Sequence, residues 1–214
     1  MNKILIAVPT FESIYPDTFK SIYELKKPDD CELYFDFIRG YDCASARNRI
    51  IDKAREIKAD YVLMVDNDII LKPETLVWFM EEPEDVCLGY YPHRSADNIY
   101  KGRVCVCRVY DENGSPYFNY PEESEYTSEE MRKFKKAREY RIRIHGGGMG
   151  CAFIRTSVVN RMDYPWYHWV NYDNRQVLSE DLYFCEQCKN LDIPIYTDSR
   201  VECGHIFRKN QWCD

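Results

Sequence analysis

The sequence predicts an α/β fold with a mainly parallel, Rossmann-like central sheet, helices on its flanks and a small second β element. Two observations lead to this prediction. Over the first ninety residues, short β-branched runs alternate with segments of helical periodicity, and this order builds parallel strands joined by right-handed crossovers. Acidic and polar residues follow directly after these runs, at the strand ends where α/β proteins bind ligands.

The elements of the first ninety residues can be assigned in order. The predicted strands are KILIAVPT, CELYFDFI and DYVLMVD, and the predicted helices are YPDTFKSIYELKK, CASARNRIIDKAREIK and KPETLVWFME. Pro16 and Pro73 open the first and third helices, because proline suits the first helical turn. Ala46, Ile50 and Ala54 lie at helical spacing in the second helix. The first strand is not followed by G-x-G-x-x-G, which argues against a dinucleotide dehydrogenase.

The rest of the chain is less regular. DVCLGYY predicts a strand, RVCVCRVYDENGSPYFNY a hairpin turning at Asn113-Gly114, and PEESEYTSEEMRKFKKARE an exposed helix or a mobile loop. YRIRIHGGGMGCAFIRTSVVNRM predicts two short strands around a glycine cluster, followed by a helix. LSEDLYFCEQCKNL predicts a helix N-capped by Ser179. IPIYTDS predicts a strand, and VECGHIF a final strand or loop.

Composition limits the classes of function. A chain of 214 residues, 45% apolar and 30% charged, is typical of a globular protein with a sizeable core. Its formal charge of −7 gives no general attraction to nucleic acids or membrane surfaces. No apolar run approaches the length of about 18 residues that a membrane span needs, and MNKILIAVPTF does not resemble a signal peptide. We therefore expect a soluble, cytoplasmic protein without stable membrane insertion.

The ten cysteines raise the question of disulfides or zinc. Cys105 and Cys107 alternate along a predicted strand, which places both thiols on one face. Cys185 and Cys188 lie on a predicted helix, and no second C-x-x-C or nearby histidine pair completes a zinc site. We expect reduced thiols packed as small apolar residues, with a structural metal or a redox pair as the alternatives.

The stretch YVLMVDNDIILKP carries the first chemically suggestive motif, Asp66-Asn67-Asp68, directly after the third predicted strand. Two carboxylates two residues apart can coordinate Mg²⁺ or Mn²⁺ while the metal bridges to a diphosphate. The alternative is a surface turn, because Asp and Asn are turn formers.

Three further charged features have both a chemical and a structural interpretation. Glu180-Asp181, at a helix start, can supply a general base or simply compensate the helix dipole. His205 can complete a metal site built mainly from oxygen, or it can be a core histidine. Arg47 can pair with a phosphate or with an acid of the site, or it can lie on a solvated helix face.

Glycines and aromatic residues supply the last candidates. The glycines of HGGGMG can let the backbone approach a sugar or phosphate, or they can relieve a tight turn. Trp166, Tyr167 and Trp169 in YPWYHW can stack on a sugar ring or belong to the core.

Together, these motifs resemble the glycosyltransferases of the GT-A fold, and the small family 2-like enzymes in particular. The resemblance rests on four motifs in the family's order: SARNRIIDKAREIKADYVLMVDNDIIL with its D-x-D, GGGMGCAFIRTSVV, YPWYHW, and SEDLYFCEQCKNLDIPIYTD. It extends from ILIAVPTF to CGHI, except for Ser95 to Tyr140. It implies one domain over residues 1–214, with a nucleotide-binding half at 1–90 and an acceptor-binding half at 91–214.

The resemblance implies a role for each matching residue. The residues implied to bind the nucleotide part of the donor are Thr10, Glu12, Arg47, Asp66 and Asn67. Those implied to hold Mn²⁺ or Mg²⁺ are Asp66, Asp68 and His205. Asp181 matches the catalytic base, with Glu180 beside it on the acceptor side. The residues implied to line the sugar and acceptor pocket are Gly148, Met149 and Trp166.

The implied activity is transfer of a hexosyl group from a nucleotide-diphosphate sugar, with a UDP-sugar as the first expectation. The implied acceptor is a hydroxyl group of a glycan or of another molecule, and a modified DNA base is among the alternatives. An acid pair suits inversion, although retaining enzymes share the fold. One alternative is a non-catalytic module that binds a nucleotide sugar or a glycan. Another is a nucleotidyltransferase, which would generally need a glycine-rich phosphate loop where this chain has VPTFESIYP. The oligomeric state stays open.

Overall fold

The computed structural model describes residues 1–11, 13–93, 102–110, 113, 122–172 and 175–206. The helices of these ranges are α1 (Pro16–Tyr23), α2 (Cys43–Glu56), α3 (Thr75–Glu81), α4 (Ser128–Ala137) and α5 (Glu180–Asn190), with short 3-10 helices at Glu122–Ser124 and Thr156–Arg161. The strands are β1 (Asn2–Thr10), β2 (Cys31–Arg39), β3 (Tyr61–Val65), β4 (Ile69–Ile70), β5 (Val86–Tyr90), β6 (Arg103–Cys107), β7 (Glu125–Thr127), β8 (Arg141–Ile144), β9 (Gly146–Gly147), β10 (Cys151–Arg155), β11 (Val170–Tyr172), β12 (Arg175–Leu178), β13 (Ile195–Glu202) and β14 (Gly204–His205). Within the described ranges, we find no helix with the length and apolar character to cross a bilayer.

A seven-stranded sheet in the order β2-β1-β3-β10-β5-β13-β8 organises the fold. β1 pairs in parallel with β2 and β3, which confirms the parallel half predicted from the first ninety residues. β5 and β13 are also parallel, whereas β10 runs antiparallel between β3 and β5, and β8 runs antiparallel to β13. The sheet is therefore mixed, because β10 and β8 run in the direction opposite to the other five strands.

Three smaller sheets supply the predicted second β element. β6 pairs with β7 and β9, β14 pairs with β4, and β11 pairs with β12. The pairing of β4 with β14 brings the segment after the third strand beside the end of the described chain, with Ile69 opposite His205. This small sheet places the D-x-D motif next to His205.

The core lies on both faces of the large sheet. β3 reads YVLMV and is buried along its whole length, as expected for a central strand covered on both sides. Its alternate residues divide between the two faces: Val62 and Met64 belong to one apolar cluster, and Leu63 and Val65 to the other. This double burial explains why β3 is apolar throughout instead of alternating.

Helix α2 is fixed by a capping box and by its apolar face. The Asp42 side chain accepts a hydrogen bond from the backbone N–H of Ser45 (2.7 Å), and the Ser45 hydroxyl accepts one from the Asp42 N–H (3.1 Å). Ile50 and Ile51 are fully buried. Arg47 is also buried on this helix, which shows that its packed face contains a charged group as well as apolar ones.

Several predicted elements differ in detail from the structure. α3 begins at Thr75, two residues after Pro73. The segment TSVVNR forms a 3-10 helix. β6 pairs with β7 and β9, and the predicted hairpin turn at Asn113-Gly114 falls mostly outside the described residues. Ser128–Ala137 of the charged segment form the mostly exposed helix α4, one of the two predicted alternatives.

The cysteines of the described residues are all free. Eight of them are buried and Cys43 is exposed. The prediction of reduced thiols packed as small apolar residues is confirmed for this part of the chain, because buried cysteines of this kind behave as small hydrophobic side chains.

Candidate functional site

A first cleft, of about 200 Å³, lies at the carboxyl ends of β1 and β2. We call it the β1–β2 cleft, and its lining residues are Pro9, Thr10, Phe11, Gly40, Tyr41, Asp42, Cys43, Ala46 and Asn67. The Asn67 amide donates to the Ser13 carbonyl (2.9 Å), which ties the D-x-D motif to the loop after β1. The structure thus brings Thr10 and Asn67 together, as predicted, whereas Glu12 lies outside the described residues.

Two aromatic side chains of this cleft were missed by the sequence reasoning. Phe11 is 68% exposed and Tyr41 is 89% exposed. Large aromatic side chains usually bury much of their surface, so two exposed rings beside one cleft are unusual. Their positions directly after predicted strands were the signal that could have identified them.

Arg47 is a buried cation that joins the D-x-D motif to the acid pair. Its side chain is 2% exposed. The guanidinium donates to both carboxylate oxygens of Asp66 (3.0 and 3.2 Å), to the Glu180 carboxylate (3.5 Å) and to the Met149 carbonyl (3.3 Å). Burial lowers the pKa of Arg47, but Asp66 and Glu180 outweigh it and the net pKa is raised. Arg47 therefore pairs with two acids of the candidate site, which is one of the alternatives that the sequence left open.

The two members of the acid pair have different environments. Glu180 is 5% exposed, and its burial raises its pKa, as does the charge of Asp181, while Arg47 lowers it. Asp181 is partly exposed and accepts hydrogen bonds from the Ser179 hydroxyl and from the Leu182 N–H (3.1 Å). Ser179 thus precedes α5 as predicted, but its hydroxyl orients Asp181 and makes no capping bond to the helix backbone.

A second cleft, of about 280 Å³, contains Asp181. We call it the β6–α5 cleft, and its lining residues are Tyr91, His93, Cys105, Cys107, Glu125, Gly147, Gly148, Ser179, Asp181 and Leu182. His93 and Glu125 contact each other across it, with 2.9 Å between Nε2 and Oε1. The cleft therefore presents two carboxylates, Glu125 and Asp181, in a lining that combines glycine, cysteine and serine with the larger side chains of Tyr91, His93 and Leu182.

Tyr91 requires glycine at two positions of the HGGGMG motif, Gly148 and Gly150. The Tyr91 hydroxyl accepts a hydrogen bond from the Gly150 N–H (2.8 Å). A Cβ atom at Gly150 would lie 2.6 Å from that hydroxyl oxygen and 3.1 Å from the Asp66 carboxylate, and one at Gly148 would also collide with the Tyr91 hydroxyl. The close approach that the sequence predicted for these glycines is thus made to a tyrosine of the protein itself.

Asp68 and His205 face each other where β4 meets β14. The His205 Nε2 lies 3.8 Å from the Asp68 carboxylate, and Asp68 is 2% exposed. The His205 Nδ1 is 2.7 Å from the Pro92 carbonyl oxygen. Because a carbonyl can only accept, Nδ1 carries a proton, and Nε2 lies on the side of Asp68, where it presents a lone pair when the ring is neutral and an N–H when the ring is charged.

This pair offers two of the three ligands for a divalent cation that were predicted from the sequence. A histidine that donates from one ring nitrogen to a carbonyl presents the other nitrogen in the orientation typical of a metal ligand. A carboxylate with an imidazole suits Mn²⁺. Asp66 is already engaged by Arg47, and the described residues contain no group of three or more His, Cys, Asp or Glu side chains arranged to hold a metal.

Two predicted pocket residues lie in the core. Met149 is 0% and Trp166 4% exposed, and the Trp166 indole N–H donates to the Val159 carbonyl (3.2 Å). Neighbouring Tyr167 stacks on Phe184, with 4.9 Å between ring centroids. These contacts favour a structural role for the YPWYHW motif. Of the three predicted pocket residues, Gly148 lines the β6–α5 cleft.

Comparison with known proteins shows the fold. No protein-family model matches the chain, and no curated protein matches it by sequence. The A197 protein from STIV is 19% identical, with a TM-score of 0.61 over 97% of this chain and 87% of A197. GalNAc-T7, solved with UDP, GalNAc and Mn²⁺, is 10% identical, with a TM-score of 0.55 over 99% of this chain and 45% of its own.

A third similar structure is that of S. aureus TarS 1-349 in complex with UDP-GlcNAc. It is 13% identical, with a TM-score of 0.51, and the match covers 97% of this chain and 60% of TarS. At such identities the likeness shows the fold alone. The chain has the glycosyltransferase-like GT-A fold, which confirms the predicted fold class.

Proposed function

We propose that the chain is a metal-dependent glycosyltransferase that moves a sugar from a nucleotide-diphosphate sugar, with UDP as the nucleotide, to an acceptor hydroxyl. One observation carries the proposal beyond the fold: Tyr91 connects the Asp68–His205 pair to the cleft that contains Asp181. Its ring packs edge-on against His205, with 5.2 Å between centroids, and it also lines the β6–α5 cleft. Candidate metal ligands and a candidate base thus lie on two sides of one side chain.

The donor would occupy the β1–β2 cleft. Phe11 and Tyr41 offer exposed rings for stacking on the base, and Thr10 and Asn67 offer polar groups beside them. GalNAc-T7 and TarS were solved with UDP and with UDP-GlcNAc, which supports this class of donor. In this proposal residues 1–90 bind the nucleotide and residues 91–214 bind the acceptor.

Asp68 and His205 would hold Mn²⁺ or Mg²⁺. A bound cation would act as a Lewis acid that neutralises the charge growing on the departing diphosphate. One guanidinium nitrogen of Arg47, Nη2, contacts both carboxylate oxygens of Asp66, so Asp66 acts in this proposal by shaping the site more than by binding the metal.

Asp181 would act as the general base. Its carboxylate is oriented by Ser179 and by the Leu182 N–H, and it lines the cleft where an acceptor hydroxyl can enter. Glu180 is buried against Arg47 and has a positioning role in this proposal. Attack from the face opposite the leaving group, with the proton passing to Asp181, gives inversion of the anomeric centre.

Two variants test the two halves of the site. Asp181→Asn should lower kcat by about 10²–10⁴-fold while Mn²⁺-dependent UDP binding persists, because a general base contributes about that much. Asp68→Ala should abolish both Mn²⁺-dependent UDP binding, measured by calorimetry, and turnover. Asp163→Asn, an exposed aspartate outside both clefts, is the matched control and should behave as the wild type.

The assay distinguishes the competing functions. The protein is incubated with a panel of nucleotide sugars and Mn²⁺, and free UDP, free sugar 1-phosphate and transferred sugar are measured. Release of sugar 1-phosphate would indicate transfer of the nucleotidyl group, as in a nucleotidyltransferase, and binding without release of UDP would indicate a non-catalytic module. Full metal-independent activity of Asp68→Ala, or unchanged turnover of Asp181→Asn, would refute the proposed mechanism.

A further inference from the structure

The outer edge of the large sheet is a long strand without a partner on its outer side in the described part of the chain. β2 spans nine residues and pairs only with β1 there, in unbroken register from Cys31 to Arg39. Natural edge strands are often protected by proline, by charged side chains, lysine above all, or by a β-bulge. The sequence CELYFDFIR has no proline or lysine, its charged residues are Glu32, Asp36 and Arg39, and its register has no bulge. Such an edge is a template for pairing with another strand.

Exposed aromatic side chains lie along this edge. Phe35 is 42% and Phe37 39% exposed, and their rings meet edge to face with 4.8 Å between centroids. Phe19 of α1 is 46% exposed and stacks on Phe37 at 6.5 Å. We call Phe19, Phe35 and Phe37 the β2 edge patch. A cluster of exposed apolar side chains at an unpaired edge indicates an interaction surface.

The charges at the two ends of β2 complement each other. Asp29, Asp30 and Glu32 lie at the N-terminal end, with Lys27 close to them. Arg39 and Arg49 are exposed at the C-terminal end, where the Arg49 guanidinium donates to the Arg39 carbonyl (2.8 Å), and Asp52, Lys53 and Glu56 of α2 line the groove beside them. Two copies of β2 laid antiparallel would bring each acidic end beside the basic end of the other copy. A parallel arrangement would oppose like charges instead.

We propose that a second copy of this chain docks on the β2 edge patch, with the two β2 strands antiparallel about a two-fold axis at Phe35. Such an interface is isologous and extends the sheet across the dimer. The axis sets Phe35 opposite Phe35 of the second copy and Leu33 opposite Phe37. These aromatic and aliphatic cross-strand pairs are stabilising.

Charge also selects this register over its neighbours. An axis shifted by one residue to Asp36 would place the two Asp36 carboxylates opposite each other. An axis shifted to Tyr34 would place Glu32 opposite Asp36. Like charges directly opposite each other in antiparallel strands are destabilising, so the Phe35-centred register is the favoured one.

The first test measures the oligomeric state of the full chain by sedimentation velocity over a range of concentrations. We expect a dimer whose Kd rises by at least about 10-fold in Phe35→Asp, because two carboxylates would then oppose each other at the axis. Tyr164→Asp, which alters an exposed aromatic outside the patch, should leave the Kd unchanged. A monomer at every concentration would overturn the proposal. The edge would then be left for another segment of the chain or for a different protein.

The second test is a cross-link that does not depend on weakening the dimer. In a Cys43→Ser background, Phe35→Cys should form a disulfide-linked dimer on mild oxidation, because a residue on the axis faces its own copy. Asp36→Cys, one residue away and on the other face, should not. A dimer that Phe35→Asp leaves intact and Phe35→Cys fails to cross-link would show that another surface is used. Neither test relies on the proposed enzymatic activity.

Discussion

Replacing Arg47 with methionine tests whether one buried cation holds the two acidic motifs together. Methionine keeps an apolar stem of similar length but supplies no hydrogen-bond donor. Asp66 would lose the contacts of its two carboxylate oxygens at 3.0 and 3.2 Å, and Glu180 would lose its cation at 3.5 Å. Glu180 is 5% exposed, so its charge would be left largely out of reach of water.

The expected loss of stability is large. Removing one partner of a buried ion pair costs about 3–5 kcal/mol, because the remaining charge is buried without compensation. A domain is usually stable by only about 5–15 kcal/mol, so this is a substantial share of its free energy of unfolding. In a chain of this size each kcal/mol lowers Tm by about 2–4 °C, and we expect a drop of about 6–20 °C.

The loss should also depend on pH. Burial and Asp181 already raise the pKa of Glu180 above its ordinary value of 4.5, and Arg47 opposes them. Without Arg47, the pKa in the folded state rises further above that of the unfolded chain. Between these two values the folded state binds more protons, so stability falls as pH increases through the window. The destabilisation by Arg47→Met should therefore be smaller at pH 5 than at pH 8.

Urea unfolding followed by tryptophan fluorescence at several pH values measures both effects. Lys53→Met is the matched control, since it removes a cation from the same helix, where Lys53 pairs with Glu56 at the surface (3.3 Å). Its effect should stay within about 0.5 kcal/mol. Adding Glu180→Gln to Arg47→Met should restore part of the loss. A cost below about 1 kcal/mol for Arg47→Met, or one independent of pH, would refute the reasoning.

Three further predictions concern stability. Gly150→Ala should destabilise the fold by about 1–3 kcal/mol in urea unfolding, since its Cβ would press on the Tyr91 hydroxyl; a neutral effect would contradict close packing between Gly150 and Tyr91. Thr127→Ala should cost about 1 kcal/mol by removing the cap on the Glu130 N–H (3.2 Å), and an unchanged melting curve would argue against that cap. Asp198→Ala should cost about 3–5 kcal/mol, because this fully buried carboxylate pairs with two guanidinium groups; a loss under about 1 kcal/mol would contradict it.

The first half of the fold was predictable because its signals are local. Strands β1 to β3 and helices α1 and α2 each follow from residue periodicity and helix-capping chemistry within a few residues. The antiparallel insertion of β10 between β3 and β5 was not predictable, because strand order depends on pairings between segments that are far apart in the chain. The same limit explains the missed partners of β6, whose short neighbours carry little signal of their own.

For the candidate site, the sequence identified the acidic residues but not all their partners. Asp66 and Asp68 follow a predicted strand, and that position was enough to mark them as candidates. The contact of Arg47 with Glu180 joins residues 133 positions apart. Trp166 shows the opposite error, since an aromatic residue beside a proline has the same sequence pattern whether it lines a pocket or packs in the core.

By itself, the sequence determined the alternation of strand and helix, the strand-end position of the D-x-D motif and the helix-start position of Glu180-Asp181, because each depends on residues adjacent in the chain. Only the tertiary structure decided which acid pairs with which cation. In the folded chain, Arg47 pairs with Asp66 and Glu180. Asp181 lines a cleft, and His205 lies beside Asp68. The physical reason is that charge pairing and burial depend on distances in space, which chain spacing does not specify.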